Sequence, residues 1–119
     1  MNKLELVVKA LDKAFAKDIV AIDMQLVSPL FDTFIICSAD NMRLLNAIKD
    51  NIQDDLEKEG IFCKKVEGAK ESQWILMDYE DIIIHIFSPE ERNNYHLEKL
   101  WGDQHQIDIS NYIGINNEL

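Results

Sequence analysis

The sequence predicts an α/β domain: a single domain with one mixed sheet of about five strands flanked by helices. Three observations predict it. Two amphipathic helical stripes lie at 3–17 and 41–59. Short apolar runs bounded by turn residues follow each of them. The resulting order, α-β-β-α-β-β-β-α, contains no repeat, linker or low-complexity stretch that would mark a second domain. With 119 residues and 47% hydrophobic content, the chain can build a two- or three-layer core. Residues 1–103 are assigned to this domain and 104–119 to an acidic C-terminal tail able to pack on the body.

The first helix rests on Leu4, Val7, Val8, Leu11 and Phe15, one apolar stripe with Lys3, Glu5, Lys9, Asp12 and Lys13 on the wet side. Ile19 to Ile22 reads as a strand covered on both faces, because it does not alternate. A loop marked by Ser28-Pro29 leads to a second strand, Asp32 to Cys37. Asp40 is placed to cap a long helix whose buried stripe is Leu45, Ile48, Ile52 and Leu56, with Gly60 just past its end. Ile61 to Val66 is the third strand.

The densest stretch follows. Trp74 to Asp78 and Ile82 to Phe87 read as a hairpin turning at Tyr79-Glu80-Asp81. Trp74, Leu76 and Asp78 share one face of the first strand; Ile75 and Met77 share the other. The second strand is apolar on both faces and is therefore expected to be central. Ser88 and Pro89 open the last helix, with Glu90 and Glu91 at its positive end.

Charge narrows the function. Twelve basic against 22 acidic residues give −10, which argues against binding nucleic acid through phosphates. It leaves open docking on a basic protein of a ribonucleoprotein particle. No apolar run is long enough to span a membrane, and Met1 to Leu6 shows no signal-peptide core. Cys37 and Cys63 lie in or beside strands without metal-ligand spacing, which reads as two structural thiols in a reducing cytoplasm.

Catalytic signatures are missing from the sequence. With four glycines there is no phosphate loop, dinucleotide fingerprint or nucleophile elbow. His85, His96 and His105 match no zinc pattern, and no metal or cofactor is assigned. A nucleotidyltransferase site needs a Gly-Ser turn and paired carboxylates on one strand; the corresponding turn is Ser38-Ala39-Asp40, and no Asp-x-Asp lies on an expected strand. Trp74 has two readings at this level: a core residue at a strand start, or an exposed aromatic anchor for a protein partner.

The chain resembles the ribosomal silencing factor, or Iojap-related, family. The residues that carry the likeness run in order: Asp18-Ile-Val-Ala-Ile-Asp23, Asp32-x-Phe-Ile-Ile, the helix from Asn41, and Val66-Glu67-Gly68. The most specific part is Trp74-Ile-Leu-x-Asp78-x-x-Asp81-Ile-Ile-Ile-His85-Ile-Phe87, closed by Arg92-x-x-Tyr95-x-Leu97-Glu98-x-Leu100-Trp101. Departures are local. Many relatives have Thr-Asp-Tyr-Phe where this chain has Phe31-Asp32-Thr33-Phe34, and glycine where it has Glu80.

The resemblance implies a nucleotidyltransferase-like fold without the catalytic motif, and a translation repressor rather than an enzyme. It implies binding to the large ribosomal subunit through ribosomal protein fourteen, with joining of the small subunit blocked sterically. Carried onto this chain, the family's contact face points to Trp74, Leu76, Asp78, Tyr79 and Asp81, with Glu71 beside them, and so favours the anchor reading of Trp74. A homodimer hiding this face off the ribosome is compatible with it. Two alternatives stand beside this reading: a large-subunit assembly factor, and a divergent nucleotidyltransferase-like enzyme using Asp32 and Asp78.

Overall fold

The computed structural model describes residues 2–68, 73–95 and 106–114, with the side chains of 93–95 outside the description. Helix α1 spans Lys3–Lys13 and is capped by Asn2, whose side chain accepts from the Glu5 N–H. It ends earlier than its stripe suggested. The N–H groups of Phe15 and Ala16 close back on Asp12 and Leu11, with Phe15 in the left-handed conformation at φ 67°. Phe15 therefore leaves the stripe and is 69% exposed, while Val7, Val8 and Leu11 are fully buried.

Strand β1 covers Lys17–Asp23 and β2 covers Thr33–Ser38, paired antiparallel with an irregularity between Lys17 and Val20. Helix α2 spans Met42–Lys58. Its cap is Asn41, not Asp40: the Asn41 side chain accepts from the Leu44 N–H at 2.8 Å, while Asp40 turns to Lys17. The expected stripe of Leu45, Ile48, Ile52 and Leu56 is buried. Gly60, at φ 77°, closes the helix, and the Ile61 N–H returns to the Leu56 carbonyl. That contact keeps Ile61 at the helix end, so β3 is only Lys65–Glu67.

The hairpin strands lie where the sequence places them, β4 at Trp74–Asp78 and β5 at Ile82–Phe87. Helix α3, Pro89–Tyr95, starts from Ser88, whose hydroxyl accepts from the Glu91 N–H. The sheet has six strands where about five were expected. The sixth, β6 at Gln106–Ile107, lies in the segment read as a tail and pairs antiparallel with β1, with Ile109 buried beside it.

The sheet order is β3-β4-β5-β2-β1-β6. Only β2 and β5 pair in parallel; the other pairs are antiparallel. Strand β5 is buried along its whole length, as expected for a central strand. Helices α1 and α2 pack on one face, where Val7, Leu11, Ile48 and Ile52 meet Ala21, Ile35, Ile75, Ile84 and Ile86. Each such buried aliphatic contributes about 1.5–3 kcal/mol. The opposite face carries a second cluster, Ile22, Met24, Ile36 and Phe87, with Val20, Phe31, Phe34 and Trp74 packed partly against it. That face holds the candidate site.

Candidate docking face

Alternation along β4 sends Ile75 and Met77 to the helices and Trp74, Leu76 and Asp78 to the other face. The register sets them opposite β5, with Trp74 facing Phe87, Leu76 facing His85 and Asp78 facing Ile83. Strand β2 adds Phe34 beside Ile83. A groove of about 700 Å³ runs across this face. Phe34, Leu76, Ile83 and His85 line it, Leu30 and Phe31 border it from the loop before β2, and Lys64, Lys65 and Glu67 from the segment around β3. Asp78 and Glu80 complete the rim.

Aromatic rings make the surface stiff. Phe31 stacks on Phe34 at 4.7 Å between centroids, and Phe34 meets His85 edge-on at 4.8 Å. Trp74 lies against Phe87 at 4.9 Å and donates its indole N–H to Nδ1 of His85 at 3.1 Å. The neutral imidazole must therefore carry its proton on Nε2, which finds no partner among the described residues. Burial pushes His85 down from 6.5 to about 4. His85 is thus a core histidine.

The sequence-derived set divides. Trp74, Leu76 and Asp78 come together on the grooved face, each half-buried. Tyr79 does not join them: it is 1% exposed and belongs to the helix-side core. Alternation explains the difference: Tyr79 continues the series of Ile75 and Met77 onto the helix side. The chain turns only after it, where Glu80 takes a left-handed φ of 72° and its N–H bonds to Oδ1 of Asp78. Asp81 is half-exposed but committed, its carboxylate paired with Lys3 of α1 and its carbonyl accepting from the Asp32 and Thr33 N–H groups. Glu71 lies outside the described residues.

Of the groove's lining residues only Leu76 and Asp78 were in the predicted set, and the apolar wall of Leu30, Phe31 and Phe34 was missed. Their signal was an apolar cluster beside Ser28-Pro29, where a loop should be polar. Gly68 also matters locally. It sits at φ 91°, and a Cβ there would fall 2.2 Å from the Trp74 carbonyl oxygen, so the chain enters the site only with glycine at this position. Among the described residues, no three His, Cys, Asp or Glu side chains gather to hold a metal ion, and no helix is long and apolar enough to cross a membrane. Burial raises the Cys37 thiol to about 12, which keeps it an inert core group.

Comparison with known proteins gives one consistent result. The family described as "Ribosomal silencing factor during starvation" matches residues 1–118. A Bacillus subtilis protein named ribosomal silencing factor RsfS is 40% identical over 106 residues, covering 89% of this chain and 90% of the relative. A crystal structure from Chromobacterium violaceum superposes with a TM-score of 0.80 at 30% identity, over 86% of this chain and 88% of that one. A mouse protein named mitochondrial assembly of ribosomal large subunit protein 1 is 30% identical over 101 residues, covering 82% of this chain and 44% of its own length.

Proposed function

Because this chain belongs to the ribosomal silencing factor family, we propose that it represses translation by occupying the large ribosomal subunit and excluding the small one. In this reading it acts in the cytoplasm, contacts ribosomal protein fourteen and performs no chemistry. The observation that supports it is the convergence of Trp74, Leu76 and Asp78 on the sheet face opposite α1 and α2, beside a groove with carboxylates on its rim. An aromatic anchor seated in a partner is worth about 2 kcal/mol or more. The carboxylates act chiefly on encounter, since a −10 protein is drawn toward basic ribosomal surface. Off the ribosome, a homodimer would shield the same apolar face.

The reading is tested by sucrose-gradient sedimentation with purified large subunits. Wild type is expected to travel with the subunit. Trp74→Ala is expected to bind at least tenfold more weakly, about 1.4 kcal/mol, while keeping cooperative unfolding. Because Trp74 also packs on Phe87, its unfolding midpoint will fall as well. A wild-type protein that stays at the top of the gradient refutes the proposal.

The name of the mouse relative favours a second reading, in which the chain serves large-subunit assembly. Association mainly with precursor particles rather than mature subunits would select it.

A further inference from the structure

The loop at 24–32 is tightly built for a segment that exposes so much aliphatic surface. The Met24 N–H bonds to the Asp32 carbonyl at 2.7 Å, and the Val27 and Ser28 N–H groups return to the Met24 carbonyl. The Leu30 N–H bonds to the Ser28 hydroxyl, and the Asp32 N–H to the Asp81 carbonyl. Met24 is 1% exposed, and Phe31 is stacked on Phe34. Between these anchors Leu26 is 96% exposed and Leu30 is 82% exposed. A pinned loop that keeps leucines in water is presenting them, and Leu30 presents itself on the groove.

We infer that Leu30 is a direct contact residue, and that the groove receives an apolar side chain flanked by Lys or Arg from a large-subunit protein. The inference rests on the function proposed above and extends its contact surface from β4 across to the 24–32 loop. Two features select this occupant. Between Leu30 and the β3 side the groove offers Phe34, Leu76 and Ile83, with room for a large aliphatic or aromatic group. On the rim, Lys65 is already paired with Glu67 at 2.7 Å, so the carboxylates of Asp78 and Glu80 are left opposite the single cation Lys64 among the described groove residues. That balance favours a basic partner. The loop is also continuous with the Trp74–Leu76–Asp78 face, so one partner surface can cover both.

The test measures binding to purified large subunits for wild type, Leu30→Asp, Leu30→Met, Phe15→Asp and Asp78→Lys. Leu30 and Phe15 are both exposed, so equal urea midpoints serve as the fold control, and Phe15 is absent from the groove. Leu30→Asp is expected to weaken binding at least tenfold, with Leu30→Met and Phe15→Asp within twofold of wild type. If Leu30→Asp binds like wild type while Asp78→Lys does not, the groove wall is outside the contact and this inference falls, with the proposed function intact. Equal losses for Leu30→Asp and Phe15→Asp would also overturn it, as a general effect of apolar surface. If wild type itself does not bind, the functional proposal fails and takes this inference with it.

Discussion

Acidification should destabilise this protein through His85. The ring is 4% exposed, and its Nδ1 is occupied by the Trp74 indole N–H. Burial lowers its pKa from 6.5 to about 4. Protonation at Nδ1 would also displace the Trp74 donor. The unfolded chain takes up its proton near 6.5 and the folded one near 4, so between these values the unfolded state binds more protons. Stability is then complete above about pH 6.5 and falls as pH drops toward 4. The full window is worth about 3 kcal/mol, and the part between pH 7 and 5 about 2 kcal/mol. Urea unfolding at pH 7, 6 and 5 for wild type and His85→Gln measures it. Other histidines and the carboxylates titrate in both proteins, so the difference between the two pH profiles isolates His85. The wild type is predicted to lose about 2 kcal/mol more than the variant. Parallel profiles would refute the reasoning and place the folded-state pKa of His85 near its ordinary value.

Three further outcomes follow from the geometry. Asn41→Ala should lower stability by about 1 kcal/mol in urea unfolding, and Asp40→Ala by clearly less; the reverse order would return the cap to Asp40. Glu80→Gly should raise stability by about 1 kcal/mol by relieving the left-handed residue in the β4–β5 turn, and a lowered midpoint would show that no strain resides there. Asp78→Lys should slow association with large subunits most at low salt, read by stopped-flow; an on-rate unchanged across ionic strength would remove electrostatic steering from the account.

The hairpin and the α2 stripe were legible because two signals agreed. Strands β4 and β5 join a period-two or wholly apolar pattern to clear stop residues, and their bounds match. The α2 stripe agrees with a glycine at its end, and the structure keeps every member buried. What was not legible depended on tertiary context. Two capping residues stand side by side at Asp40 and Asn41, and only the local backbone decides which faces the Leu44 N–H. Ile61 is held by the α2 terminus, which delays β3 to Lys65. Strand β6 is two residues long and exists because β1 offers an edge to pair with. In the site, alternation grouped Trp74, Leu76 and Asp78, and one step further it puts Tyr79 with Ile75 and Met77 on the helix side, where the structure has it; only the resemblance had set Tyr79 on the contact face. The groove wall formed by Leu30 and Phe31 comes from a loop far from β4 in sequence, and no local pattern connects the two.

Repression as proposed works by occupying the face of the large subunit that the small subunit needs. Light scattering of subunit joining, with the protein added either before or after the small subunit, tests it most directly. Simple exclusion predicts that prior addition suppresses the scattering rise in proportion to large-subunit occupancy. It also predicts that Asp78→Lys suppresses less at equal concentration, and that addition after joining changes the signal only as fast as ribosomes dissociate on their own. Undiminished joining by large subunits saturated with wild-type protein would rule out repression by exclusion.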